Sequence, residues 1–140
     1  MDDIFEISDN EIRTENTSGN IKISNDVVAA IAGISAEEVK GVAHMYTSLS
    51  GAIAEKLGSK KNQSKGVKVV IGEQGIAVDL IIVAQYGVRL RDVSEAVQRN
   101  VRENVETMTG MNVTEVNVRV EGVSFDNQKT SDDVKIIDEA

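Results

Sequence analysis

The only concentrated positive charge in this 140-residue chain lies in the stretch GSKKNQSKG, Gly58 to Gly66. Lys60, Lys61 and Lys65 fall within six residues, with no acid among them. Ammonium groups at that spacing suit weak electrostatic contact with an anion, such as a phosphate, an acidic partner or an anionic lipid surface. Each lysine near an anionic membrane contributes about 1 kcal/mol, so three alone do not hold a protein there. Gly, Ser, Asn and Lys are also ordinary composition for a solvated connection. The stretch is therefore a candidate interaction loop.

Other chemistry is sparse. His44 is the single histidine, set between Ala43 and Met45. A base without an identified partner reads as a structural or surface residue. Asp79 interrupts an apolar run. It reads as an outward-facing or paired carboxylate, with a site residue as the alternative. There is no cysteine, which excludes disulfides, iron–sulfur clusters and cysteine nucleophiles. One histidine without a thiol does not make a structural zinc site. Neither GxxxxGK[ST] nor GxGxxG occurs, so no phosphate loop of those kinds is present. The expectation is a protein with no catalytic, metal or cofactor-binding residues, and not an enzyme. The string GEQG, Gly72 to Gly75, matches a KH loop by its letters. A KH loop joins two helices, whereas this one falls in a predicted hairpin. With few aromatics and a balanced core charge, no nucleic-acid binding is expected.

The net charge of −8 is carried by the ends. Residues 1–18 hold six acids against Arg13, and residues 126–140 hold five acids against Lys129 and Lys135. Residues 19–125 balance, with twelve acids and twelve bases. Both ends are polar without sustained periodicity, and they read as disordered acidic tails flanking one domain over 19–125. No apolar run approaches the roughly 18 to 20 residues that cross a bilayer, and the acidic start does not read as a secretory signal. A cytoplasmic protein without direct membrane insertion is the expectation. Apolar islands in the tails, Ile4, Phe5 and Ile7 at one end and Val134, Ile136 and Ile137 at the other, read as chance residues or short docking motifs.

The periodicity predicts the elements. Gly19 to Ser24 alternates as a short strand, and Ser24 can cap a helix from Asn25 to about Val39. Gly33 within it allows close packing on a sheet. Gly41 to Thr47 reads as a strand, and Ser48 to Leu57 as a short helix-prone connection. Val67, Val69 and Ile71 alternate before Gly72–Gly75, and Ile76, Val78, Leu80 and Ile82 alternate after it, which is a hairpin pattern. Ile81 and Val83 predict a second arm buried on both faces over its middle. Asp92 to Thr109 carries the stripe Val93, Val97, Val101, Val105, Met108, with capping-box spacing from Asp92 to Glu95. Arg91–Glu95, Arg99–Glu103 and Arg102–Glu106 form i,i+4 pairs. Gly110 sits where a left-handed cap belongs, and Asn112 to Val123 alternates as a last strand. The order β-α-β-β-β-α-β predicts an α+β two-layer sandwich, two main helices on one face of a mixed sheet of about five strands. The first strand–helix–strand unit would cross over right-handed if its strands are parallel.

Three stretches resemble the alkaline shock protein family of Gram-positive bacteria: GNIKISNDVVAAIAGISAEEVKGVAHM, KGVKVVIGEQGIAVDLIIVAQYG and VQRNVRENVETMTGMNVTEVNVRVEGVSF. The helix ending in MTG, followed by V-x-x-V-N-V-x-V-x-G-V, is the most specific of them. The resemblance covers about residues 19–125. It implies a non-enzymatic general or envelope stress response protein that self-associates as a homo-oligomer. It also implies a place at the inner face of the cell membrane, held by a small membrane-anchored partner, where the protein acts as a scaffold. The valine-rich strands fit that reading, since they can extend a sheet across molecules. Another branch implies regulation of fatty-acid synthesis through acetyl-CoA carboxylase subunits. The family carries no catalytic residues to transfer onto this chain, and similar proteins often hold lysines where Lys60, Lys61 and Lys65 stand.

Overall fold

The computed structural model describes residues 4–8, 11–46 and 66–125. Its elements run β1 (Ile4–Ser8), β2 (Glu11–Asn16), β3 (Gly19–Ser24), α1 (Asn25–Glu37), β4 (Val42–Met45), β5 (Val67–Gly72), β6 (Gly75–Gln85), α2 (Leu90–Thr109) and β7 (Val113–Ser124).

The α+β class holds, with both helices against a mixed sheet. β6 is its centre. β5 and β4 pair antiparallel with β6, and β7 pairs parallel with it. β5 takes Gly75 to Leu80 of β6 and β4 takes Ile82 to Ala84, so the two share one edge end to end. β7 runs the length of the other edge, with bulges at Thr114 and Glu121 where its register with β6 skips a residue.

Alternation sorts the side chains into two layers. Val69, Ile71, Ile76, Val78, Leu80 and Ile82 point to the helices and are buried. Against them α1 sets Val28, Ala32 and Ala36, and α2 sets Val93, Val97, Val101 and Val105, every one buried. The valines of α2 recur every four residues, which is the helical stripe the sequence predicts. Between the helices, the buried hydroxyl of Ser35 donates to Ile31 O at 2.7 Å and accepts from Asn104 Nδ2 at 2.8 Å. A Cβ on Gly33 would stand 3.4 Å from Val67 Cγ2, so α1 packs closely on β5 as expected.

Local signals act largely as read. Ser24 Oγ caps α1 by accepting the Val27 N–H at 3.3 Å. Gly110 ends α2 in the left-handed region at φ 77°, its N–H bonded to Glu106 O. The hairpin turns at Glu73 and Gln74, and Gly75 is required there. Its φ is 140°, and a Cβ would meet Asn112 O at 2.3 Å. The GEQG string thus joins two strands.

Four expectations change. The capping box does not form: α2 starts at Leu90 with Arg89 as N-cap, and Asp92 in the first turn pairs with Arg89 at 3.5 Å. Of the i,i+4 pairs, Arg91–Glu95 forms at 3.7 Å, whereas Arg102 and Glu106 turn to the backbone of Val113. The second arm of the hairpin is buried on its helix side only, because Asp79 is exposed and Ala77, Ile81 and Val83 are half-buried. Finally, β3 is not a strand of the main sheet. It joins β1 and β2 in a separate antiparallel meander, so no parallel crossover links it to β4.

That meander also moves the domain boundary. Residues 1–18 read as a tail because acids dominate their composition. In the structure β2 aligns with β3 residue for residue, and Glu11 finds Lys22 at 3.9 Å across the pair. The acids of β2 occupy a strand whose other face delivers Ile12, 1% exposed, into the core. The region 126–140 lies outside the described residues, as does the helix-prone segment 48–57.

Replacing a buried isoleucine by alanine removes its transfer energy and leaves a cavity, at a cost of about 2–5 kcal/mol. Ile12→Ala is therefore expected to lower the urea midpoint by a corresponding amount. A midpoint equal to that of the parent chain would return residue 12 to a tail.

Candidate interaction surface

Both helices lie on one side of the sheet, and the other side is built by the alternate residues of the same strands. Register sets these residues in rows. Lys68 on β5 faces Asp79 on β6, and Asp79 faces Asn117 on β7. One row along, Ile81 faces Arg119. Asn117 Nδ2 donates to Asp79 Oδ1 at 2.8 Å and to Glu115 Oε2 at 3.3 Å. Arg119 pairs with Glu121 on its own strand at 3.4 Å. Between Lys68 and Arg119 the surface dips into an open groove of about 510 Å³ whose lining includes Gly66, Asp79, Ile81 and Asn117. Asp79 is thus the outward, paired carboxylate that the alternation predicts.

The groove lies where two strands abut. The Tyr46 N–H donates to Ile81 O at 2.9 Å, and the Ile81 N–H donates to Gly66 O at 2.9 Å. Tyr46, just after β4, and Gly66, just before β5, thus bond the same residue of β6. Gly66 makes this junction possible. Its φ is 79°, and a Cβ there would stand 2.6 Å from Tyr46 O and 3.0 Å from Ile81 O. Lys60, Lys61 and Lys65 lie outside the described residues, although Lys65 directly precedes Gly66. His44 is exposed on β4 opposite Val83, with Nδ1 3.0 Å from Met45 O. Nothing else titratable is hydrogen-bonded to its ring among the described residues.

The strand edges differ in their cover. On β5, Asn25 Nδ2 donates to Val69 O at 3.0 Å. On β4, the Met45 N–H donates to Glu37 Oε2 at 3.1 Å. At the start of β7, Gln98 Nε2 donates to Val116 O at 3.0 Å, and the Val113 N–H donates to Glu106 Oε2 at 2.9 Å. Along the remainder of β7, no second strand pairs among the described residues. Beyond its end lie exposed apolar groups: Phe125, 72% exposed, stacks on Tyr86 with ring centroids 5.0 Å apart.

Sequence reasoning found the wet face of β7 but not its cross-strand neighbours. Lys68, Asp79, Asn117 and Arg119 come together through register, which single-strand alternation does not encode. Among the described residues no three histidine, aspartate or glutamate side chains are grouped to hold a metal ion. No helix among them is long and apolar enough to cross a membrane.

The family model of the alkaline shock proteins, described as having a cell envelope-related function, matches residues 13–125. The chain belongs to this alkaline shock protein family. It is 37% identical over 110 residues to protein YqhY of Bacillus subtilis (strain 168), covering 79% of this chain and 81% of that one. To protein YloU of the same organism it is 34% identical over 119 residues, 84% of this chain and 97% of the relative. A stress response regulator gls24 homolog of Streptococcus pyogenes serotype M3 (strain MGAS315) is 29% identical over 120 residues, 86% of this chain and 67% of the relative. No solved structure matches the chain.

The junction at Gly66 is testable against a glycine of similar dihedral. Gly87 has φ 97°, but a Cβ there would meet nothing within 4 Å. Strain in the left-handed region costs about 1–3 kcal/mol. Gly66→Ala bears that cost and a backbone clash, whereas Gly87→Ala bears the dihedral cost alone. Denaturant unfolding is expected to show the larger loss for Gly66→Ala, and equal losses would contradict the abutting-strand geometry.

Proposed function

We propose that this protein is a non-enzymatic, self-associating scaffold of the envelope stress response, held at the inner face of the cell membrane by a membrane-anchored partner. The observation that carries this reading is the sheet itself. Among the described residues one of its faces and part of one edge stay uncovered, and charged side chains on that face are held by neighbours in the same rows. Asp79 is engaged by Asn117 and Arg119 by Glu121, an arrangement suited to docking. Binding surfaces of this kind gain affinity from an uncovered strand edge and specificity from alternating side chains. The family's envelope-related description and the relatives named as stress response regulators support the cellular setting.

One feature favours a second reading, a regulatory contact with acetyl-CoA carboxylase or its metabolites. The groove is flanked by two cations, Lys68 and Arg119, and its lining includes Gly66, the residue that follows the lysine stretch in sequence. In that case Lys60→Glu, Lys61→Glu and Lys65→Glu together abolish capture of carboxylase subunits or saturable binding of an acyl-CoA. Unchanged capture removes the loop from the account.

Cells of the native host, gently crosslinked and fractionated, test the main reading. The protein is expected in the membrane fraction together with a small transmembrane partner, and in the cytosol once that partner is deleted. Recovery in the cytosol with the partner intact contradicts the scaffold.

A further inference from the structure

We propose that two copies of this chain pair antiparallel, β7 against β7 about a two-fold axis at Val120, joining two four-stranded sheets into one of eight strands. The proposal rests on the self-association advanced above and names the surface that makes it.

The backbone of β7 selects the contact. In a strand, successive residues direct their N–H and C=O groups to opposite edges. Val116 O faces Gln98 on the side away from β6, and Ser124 O faces β6, where it accepts the Tyr86 N–H at 2.8 Å. Counting between these fixed points through the bulge at Glu121, Val118, Val120 and Val123 direct their groups away from β6. These are the positions that no second strand satisfies among the described residues. Side chains of α1 reach Val69 O on β5 and the Met45 N–H on β4, and side chains of α2 reach the start of β7 at Val113 and Val116. Among the described residues no such side chain and no second strand reaches Val118–Val123, and an uncovered edge is a template for another strand.

Its pattern fits a second copy. With Val120 opposite Val120 of the other copy, the bulge at Glu121 brings Val118 opposite Val123 and Val123 opposite Val118. The three outward-directed positions therefore map onto themselves, as an isologous interface requires. The same register sets Arg119 opposite Glu121 of the other copy, twice. Opposite charges directly across an antiparallel pair stabilise it, and like charges there destabilise it. Val123, 40% exposed, loses water on pairing.

Sedimentation velocity on the full chain and two charge variants tests the interface. Arg119 and Glu121 are 66% and 43% exposed, so Arg119→Glu and Glu121→Arg leave the fold intact, which circular dichroism checks. Wild type is expected at twice the 15.1 kDa chain mass. Each variant alone sets like charges across the axis twice, and is expected to dimerise at least tenfold more weakly than wild type, about 1.4 kcal/mol. Mixed together, the two variants restore opposite charges between the copies and form a heterodimer. Recovery on mixing separates an intermolecular role from the Arg119–Glu121 pair within one chain. If wild type assembles and both variants assemble equally well, the β7 interface is overturned while self-association stands. A wild type that stays monomeric at millimolar concentration overturns both.

Discussion

β6 is bonded along both of its edges, and every other element of the main sheet takes its position from it. A strand so placed must satisfy its backbone groups on two sides, since buried unpaired N–H and C=O groups are costly. β7 does so along one edge, and β5 and β4 divide the other. The helix-facing residues of β6 then have only one place to go. Ile76, Val78, Leu80 and Ile82 fill the space under α1 and α2 with scarcely any exposed surface. The division of one edge between two strands has a local consequence. It brings Tyr46 and Gly66 to the same residue, Ile81, and admits only a glycine at the second of them.

Much of this arrangement was legible in the chain. The valine stripe of α2, the hairpin between β5 and β6, the cap at Ser24 and the left-handed glycine at Gly110 are short-range effects. Each is decided by residues within a turn or a strand of one another. What escaped depends on partners distant in sequence. Acidic composition disguised β2, because only pairing with β3 brings Lys22 to Glu11 and sends Ile12 inward. The same pairing took β3 out of the main sheet, which its own alternation does not reveal. Asp92 kept its stabilising place in the first helical turn but lost the cap to Arg89, since the helix begins at Leu90. The row of Lys68, Asp79 and Asn117 needed the register of three strands. Lys60 and Lys61 belong to a stretch outside the described residues, so their role rests on the sequence and the resemblance.

The helices cover one face of the sheet and their polar side chains reach round to its rims. Asn25, Glu37, Gln98 and Glu106 each meet a backbone group at a strand edge. Such cover blocks indiscriminate strand addition. Among the described residues it stops along β7 after Val116, next to an aromatic pair and a strip of alternating charge. The proposed isologous contact would close as a dimer, so any larger assembly of this chain would need a second surface. The opposite face of the sheet carries the groove at Ile81, apart from the β7 edge. Self-association and recruitment would then use separate surfaces, so that either can be removed without the other.

Site-resolved amide hydrogen exchange across β7, followed as protein concentration rises, addresses the central claim most directly. The amides of Asn117 and Arg119 face β6 and should be protected at every concentration. Those of Val118, Val120 and Val123 should exchange freely in dilute protein and become protected as dimers form. If these three stay unprotected when assembly is complete, β7 is not the contact between copies.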